Sequence, residues 1–300
     1  MSIMHFPSSA HGRQGIASIR TMLAERGEGP HTPIAERRAR LEAFAAGAAP
    51  VDDVVVREAS LGGIRTLTIT PPGARGQVLF LHGGAYVLGS ADTHKWLAAR
   101  YALASGAIFH VIDYRLAPEH PYPAAVNDSL AAWTALDHQA PAVLMGDSAG
   151  GGLALAMAIE CQARALPAPA ALALISPWLD LSLSGPSLRD NAAADIMLSR
   201  DGLAADADRY RAHHAPADPR ISPLFAPLSG LPLMLVQAGT DEVLRSDAET
   251  LYARASEAGV DCTLQLWDDM THAWAAFGPL VPEAALAIAE AGKFIAAQFK

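Results

Sequence analysis

Ser148 is the side chain whose neighbours best suit it to attack a carbonyl carbon. It stands in Gly146-Asp147-Ser148-Ala149-Gly150, a G-x-S-x-G pattern whose glycines let a strand and a helix approach closely while the serine is held out on a strained turn. Five residues match such a pattern by chance, so its weight rests on what flanks it. Residues 141–145 have the length and apolarity of a buried strand, and residues 153–159 continue as an Ala/Leu/Met helix. A serine hydroxyl is a weak nucleophile at neutral pH. Acyl transfer through it needs a general base, a group that orients the base, and N–H donors for the oxyanion.

Each of these should arrive on a loop at the carboxyl edge of a sheet. For the base, His272 lies in Asp269-Met270-Thr271-His272-Ala273-Trp274, beyond a strand pattern ending near Trp267 and ahead of the last helical pattern. His213 and His214 are adjacent, about a hundred degrees apart on a helix, and cannot form an i, i+4 metal pair. For the orienting acid, the strand over 233–237 is followed by Ala238-Gly239-Thr240-Asp241-Glu242-Val243-Leu244, and Asp241 is the first choice. Its neighbour Glu242 reads as a solvated or substrate-edge charge, and Asp247 as a helix-start carboxylate. Asp268 and Asp269 sit too near His272 along the chain to be favoured. The oxyanion donors are expected in Leu81-His82-Gly83-Gly84-Ala85-Tyr86, with the N–H of Ala149 joining either Gly83 and Gly84 or Gly84 and Ala85. Tyr86, Trp178, Leu179, Met197, Trp274 and Phe277 flank these motifs and are candidate pocket walls.

The elements that must hold these residues follow an α/β grammar. Short apolar runs over 78–81, 107–112, 142–145, 172–175, 233–236 and 262–266 alternate with helical patterns, which argues a mostly parallel sheet covered on both faces. Ahead of them, residues 53–58 and 64–70 flank Leu61-Gly62-Gly63, and the second run alternates as an antiparallel strand with one wet face does. The expectation is eight strands. Residues 14–27 and 33–46 read as two helices preceding the sheet, the second with Thr32 as N-cap and Pro33 at its first position. Residues 181–230 interrupt the rhythm with Ser/Pro/Gly turns and short helical patterns, and read as an insertion.

Composition narrows the partners. The chain has 300 residues, 51% of them apolar, enough for a sizeable core in one α/β domain. A formal net charge of −9, with no basic run, repels nucleic acid and anionic membrane surfaces. The 2 cysteines, Cys161 and Cys262, supply neither a disulfide framework nor zinc spacing and read as small buried apolar residues. The N-terminal residues carry no basic region followed by an apolar core, and no segment approaches the ~20 apolar residues of a membrane span. The expected setting is cytoplasmic.

Three segments together carry a resemblance. His82-Gly83-Gly84-Ala85, the elbow Gly146-Asp147-Ser148-Ala149-Gly150-Gly151, and between them residues 113–124, Asp-Tyr-Arg-Leu-Ala-Pro-Glu-His-Pro-Tyr-Pro-Ala, resemble the hormone-sensitive-lipase-like esterases of the α/β-hydrolase superfamily. The order Ser148, Asp241, His272 is that superfamily's chain order. The resemblance implies an α/β-hydrolase fold of eight strands with the second antiparallel. It also implies a catalytic domain over 49–300, and a cap built from the helices of 1–48 and the insertion at 181–230. It further implies carboxylic-ester hydrolysis with no metal or organic cofactor; the triad then predicts an acyl-enzyme, and a cap over the site predicts short to medium acyl esters. Two departures stand out: Ala85 replaces a third glycine, and Asp241-Glu242-Val243-Leu244 replaces the usual Asp-Pro-Leu. Within 113–124, Arg115 and Glu119 are expected to pair and brace a loop near the site. The expected ligand is a small-molecule ester, or a lactone attacked by the same machinery, with a second copy of the chain as the only macromolecular candidate. A non-catalytic receptor of the same fold is the contrasting reading, and the presence of Ser148, Asp241 and His272 weighs against it.

Overall fold

A computed structural model describes residues 1–26 and 32–300. In chain order its first elements are β1 (Ser2–Phe6), α1 (Ala10–Arg26), α2 (Ile34–Ala46), β2 (Val55–Leu61), β3 (Ile64–Thr70), β4 (Gln77–Leu81), α3 (Ala91–Ser105), β5 (Ile108–Ile112) and α4 (Ala124–Thr134). They are followed by β6 (Ala142–Asp147), α5 (Ala149–Ala163), β7 (Ala171–Ile175), α6 (Ser187–Asp190), α7 (Arg200–Arg211), β8 (Met234–Gly239), α8 (Arg245–Glu257), β9 (Cys262–Trp267) and α9 (Pro282–Ala296). Gly27, expected to end the first helix, lies outside the described residues. The second helix opens one residue later than expected, with Pro33 in the N-cap position.

The sheet runs β1-β9-β8-β7-β6-β4-β5-β3-β2. All neighbours are parallel except those of β3, which is antiparallel to both β5 and β2. This is the doubly covered, mostly parallel sheet that the alternating apolar runs require. Period-two alternation sorts the central strands onto two cores. Leu79, Leu81 and Leu144 face α4, α5 and α8, while Val78, Phe80, Val143 and Met145 face α3 and α9. Both cysteines are buried and free.

The strand count differs from the expected eight. Among the described residues the sheet has nine strands, and the additional one is β1, paired in parallel with β9. Ser2-Ile3-Met4-His5-Phe6 shows no apolar alternation because four of its five residues are exposed at the sheet edge. Its anchor is Phe6, whose ring stacks on Trp267 at 4.1 Å between centroids. The Phe6 carbonyl accepts from the Asp268 N–H (2.9 Å), so β1 also braces the turn that leaves β9.

Residues 181–230 carry α6, α7 and a short helical turn at Pro223–Phe225. Leu183, Leu188, Leu203, Tyr210 and Leu224 pack into the same core as α5 and α8. Among the described residues, no helix is long and apolar enough to cross a membrane.

Candidate active site

The turn from β6 into α5 puts Ser148 at φ 53°, ψ −124°, a region non-glycine residues enter at a cost of roughly 1–3 kcal/mol. The surroundings enforce it. The Ser148 N–H donates to the Ile175 carbonyl (2.8 Å), and its own carbonyl accepts from Gly152 (3.1 Å) and Trp178 (3.0 Å). Glycine is obligatory on either side because a Cβ on Gly146 would lie 2.3 Å from the Gly150 carbonyl oxygen, and one on Gly150 1.9 Å from that of Leu81.

The loop after β9 brings His272 to this serine, with Nε2 2.9 Å from Ser148 Oγ. On the other side of the ring, Nδ1 lies 2.8 Å from Glu242 Oε2. A carboxylate only accepts, so Nδ1 carries the ring proton and Nε2 presents its lone pair to the serine hydroxyl. All three side chains are buried. Burial works to lower the His272 pKa, but the bond to Glu242 and its charge outweigh it and the imidazole is raised. Burial likewise lifts the Glu242 carboxyl, against the bonds it receives. Its second oxygen, Oε1, accepts from the Gly239 N–H (2.6 Å) and the Ser176 hydroxyl (3.1 Å). Ser176 Oγ in turn accepts from the Ala273 N–H (3.1 Å), joining the acid and base loops.

The expectation for Asp241 is therefore corrected: the carboxylate on His272 is Glu242. In the turn leaving β8 successive side chains diverge. Glu242 points inward at 0% exposure, whereas Asp241 is half-buried with the Thr240 hydroxyl 3.4 Å from its Oδ1. Burial and the charge of Asp269 raise the Asp241 carboxyl. A signal for Glu242 was available. Val243-Leu244 aligns with Pro-Leu of the usual Asp-Pro-Leu if the pattern is read one residue later, which puts the acid at 242. Ser176 has no sequence signature beyond following a strand.

The loop after β4 folds back on itself, with the Gly84 carbonyl accepting from Val87 (3.0 Å) and Leu88 (2.8 Å). Gly84 sits at φ 119°, and a Cβ there would be 2.3 Å from the Leu88 carbonyl oxygen. Ala85 and Tyr86 follow at φ 54° and 62°. The N–H of Gly83 is already used, donating to Asp147 Oδ1 at 3.0 Å. Those of Gly84, Ala85 and Ala149 have no acceptor among the described residues. Beneath the loop, Asp147 Oδ2 lies 3.5 Å from His94 Nε2. Burial raises Asp147, but the charge of His94 overrides it and the carboxyl is held below its usual range. His82 stacks on Tyr114 at 4.1 Å and is pushed down to about 4 by burial.

Comparison with known proteins gives the family and the fold. Residues 78–276 match the family model described as the alpha/beta hydrolase fold. An acetyl-hydrolase of Streptomyces hygroscopicus is 39% identical over 259 residues, covering 85% of each chain. An esterase of Acinetobacter venetianus is 37% identical over 247 residues, covering 80% of this chain and 82% of its own. Among solved structures, an esterase from the bacterial hormone-sensitive lipase family superposes with a TM-score of 0.91 at 38% identity, covering 95% of this chain and 98% of that one. The chain is a hormone-sensitive-lipase-like carboxylesterase of the α/β-hydrolase fold. The esterase EstE5, crystallised and soaked with p-nitrophenyl butyrate, is equally similar, with a TM-score of 0.90 at 39% identity over 95% of this chain and 98% of its own.

Two further expectations for this esterase are revised. Arg115 does not pair with Glu119: its guanidinium forks onto Asp128 of α4 (2.7 Å), whose carboxylate also accepts the Arg115 N–H (2.9 Å). Glu119 is taken by Arg38 of α2 in a two-pronged pair at 2.8 Å, and that hydrogen bond pulls its carboxyl down to about 2. Arg38 also donates to the carbonyls of Val87 (2.8 Å) and Ala117 (2.9 Å), so α2 is tied to the loop after β4. Among the candidate pocket walls, Trp178, Leu179 and Trp274 are 0% exposed. A pocket wall must expose some area, so these three are core. Tyr86 and Phe277 are nearly as buried, Tyr86 stacking on Tyr210 of α7 at 3.8 Å, and Met197 alone is exposed. No group of three or more His, Cys, Asp or Glu that could hold a metal ion occurs among the described residues.

Proposed function

We propose that this esterase cleaves short to medium acyl esters by a two-step acyl transfer on Ser148. The observation that carries the reading is the continuous relay Ser148 Oγ, His272, Glu242, at 2.9 and 2.8 Å, built on a strained elbow. His272 Nε2 takes the hydroxyl proton as Oγ attacks the ester carbonyl, and Glu242 holds the tautomer and balances the imidazolium that forms. The unpaired N–H groups of Gly84, Ala85 and Ala149 are the donors for the tetrahedral oxyanion, Gly83 being committed to Asp147. The imidazolium then gives its proton to the departing alcohol, and a water activated by the same nitrogen cleaves the acyl-enzyme.

A short acyl group is in keeping with the relatives, one named an acetyl-hydrolase and another whose crystal was soaked with p-nitrophenyl butyrate. The helices at the N-terminus and the insertion between β7 and β8 form the cap in this reading. The test is hydrolysis of p-nitrophenyl esters from acetate to palmitate by wild type and Ser148→Ala, with fluorophosphonate labelling alongside. Turnover peaking at or below the octanoate, its loss in Ser148→Ala and labelling confined to Ser148 are expected. Retained turnover in the variant removes Ser148 as nucleophile, and a rate still rising at palmitate removes the chain-length assignment.

A further inference from the structure

The turn that carries Glu242 is gripped from outside the sheet. Its backbone is held by two polar side chains of the insertion between β7 and β8, in the stretch joining α6 to α7. Asp195, 8% exposed, accepts the Val243 N–H on Oδ2 (2.8 Å). Its other oxygen accepts the N–H groups of Met197 (2.8 Å) and Leu198 (2.9 Å), which fixes its own rotamer. Asn191 Nδ2 donates to the carbonyls of Thr240 and Glu242 itself, both at 2.8 Å. The two are joined by the Asp195 N–H donating to the Asn191 carbonyl (2.9 Å). Ser187 Oγ adds a bond to the Val243 carbonyl (2.5 Å). The peptide group that follows the Glu242 Cα is thus held at both its N–H and its carbonyl, and the Thr240 and Val243 carbonyls to either side are held as well.

We propose that Asp195 and Asn191 are positioning residues for the triad acid, through which the insertion sets the reach of Glu242 to His272. The inference rests on the reading of Glu242 as that acid. Without the grip, the turn keeps the Thr240 and Asp241 N–H bonds to the carbonyls of Trp267 (2.9 Å) and Met270 (3.1 Å), upstream of the acid, and the acid side chain keeps the Gly239 N–H and Ser176. The reach is a single 2.8 Å bond, and a displacement of the order of 1 Å costs about 10²-fold in rate. Asp195 also acts by charge. The groups bearing on His272 are Glu242 from the turn after β8, Asp195 from the insertion and Asp147 from the end of β6, all acids, and Asp247 of α8 bears on Glu242 in turn. Asp195 therefore favours the imidazolium that forms as the serine is deprotonated.

The two residues make separable predictions. Asn191→Ala removes two bonds and no charge, so kcat should fall about 10²-fold with KM little changed, and the acidic limb of kcat/KM should move to lower pH only as far as the Glu242 bond to His272 loosens. Asp195→Asn presents an amide to donors that need acceptors. It should lower kcat comparably and move that limb further to lower pH, because His272 also loses a negative neighbour. Asn191 acts only through Glu242, so in a Glu242→Gln background Asn191→Ala should cost less than about threefold more, whereas Asp195→Asn should keep only the part of its loss that comes from its charge on His272. Full multiplication of the losses, or wild-type kcat in Asn191→Ala, overturns the proposal. If Asp195→Asn does not fold, Asn191→Ala and its double variant decide the matter alone. An active Glu242→Gln single variant would instead remove the underlying reading of the acid, so the two failures are distinguishable.

Discussion

Exchanging Glu242 for glutamine is the sharpest perturbation of the relay, because the structure dictates which way the new amide must face. Glu242 Oε1 lies 2.6 Å from the Gly239 N–H, a fixed backbone donor. A glutamine must leave its carbonyl oxygen there, which turns its NH₂ group toward His272 Nδ1. Two donors cannot share that bond, so Nδ1 becomes the acceptor and the ring proton moves to Nε2. That proton then points at Ser148 Oγ across 2.9 Å, where a lone pair is needed. The fold is intact and the tautomer is wrong. The analogous acid-to-amide exchange in the chymotrypsin-type triad lowers kcat about 10⁴-fold, equivalent to about 5.4 kcal/mol. The same order is expected here for p-nitrophenyl butyrate hydrolysis under saturating ester. Asp241→Asn is the control. Its carboxylate has no bond to His272 and should leave kcat within about threefold of wild type. A Glu242→Gln enzyme within about tenfold of wild type, or an Asp241→Asn enzyme as crippled as Glu242→Gln should be, refutes the assignment of the acid.

Gly84→Ala puts a Cβ 2.3 Å from the Leu88 carbonyl at a φ of 119°, so the loop must shift its N–H groups. A kcat loss of about 10²–10³, with an unchanged circular dichroism spectrum, is expected, and undiminished kcat would exclude this loop from the oxyanion site. The pH profile of kcat/KM should fall on the acid side, since a protonated His272 is no base. With the imidazole raised by Glu242, the midpoint should lie above the ordinary histidine value of about 6.5, and an acidic limb centred below pH 6 would contradict this. Asp247 accepts the N–H groups of Leu179 (2.7 Å) and Asp180 (3.0 Å), yet burial pushes its carboxyl up to about 8. The folded state then holds this proton more tightly than the unfolded chain, whose value is about 3.9. Its stabilising effect is complete below that pH and is lost as pH rises through about 8. Urea denaturation between pH 5 and pH 9 should show this decline in wild type and a flatter one in Asp247→Asn, and identical slopes would remove the assignment.

Ser148 and His272 were legible because their chemistry is tied to spacing: glycines two residues either side of the serine, and a lone histidine just past the last strand. The central strands were legible because burial on both faces leaves uninterrupted apolar runs. The acid was not, since adjacent Asp241 and Glu242 follow the same strand and only the turn's dihedral angles decide which faces inward. Ion-pair partners failed for a similar reason. Arg115 and Glu119 are close in sequence, but Asp128 and Arg38 reach them through folded geometry that no local spacing encodes. Trp178 and Trp274 sit beside the motifs in sequence, yet being beside a motif does not decide whether a side chain turns toward the pocket or the core. β1 escaped detection because an exposed edge strand makes no demand on residue type.

That edge strand bears on how the molecule assembles during synthesis. Ser2 pairs with Thr263 and Phe6 with Trp267, so β1 leaves the ribosome well before the strand it pairs with. Closing a chain of about 260 residues in one step would cost ~5 kcal/mol of entropy beyond a constant. After the sheet from β2 to β8 has formed, the remaining separation is short and the docking inexpensive. The order is thereby set: β9 adds to β8, and only then can the N-terminal segment seal the open edge. In the interval two unpaired partners coexist, a free strand and a free edge, and in a crowded polysome the strand of one nascent chain meets the edge of another. The stack of Phe6 on Trp267 gives a chain's own strand an aromatic anchor at that edge.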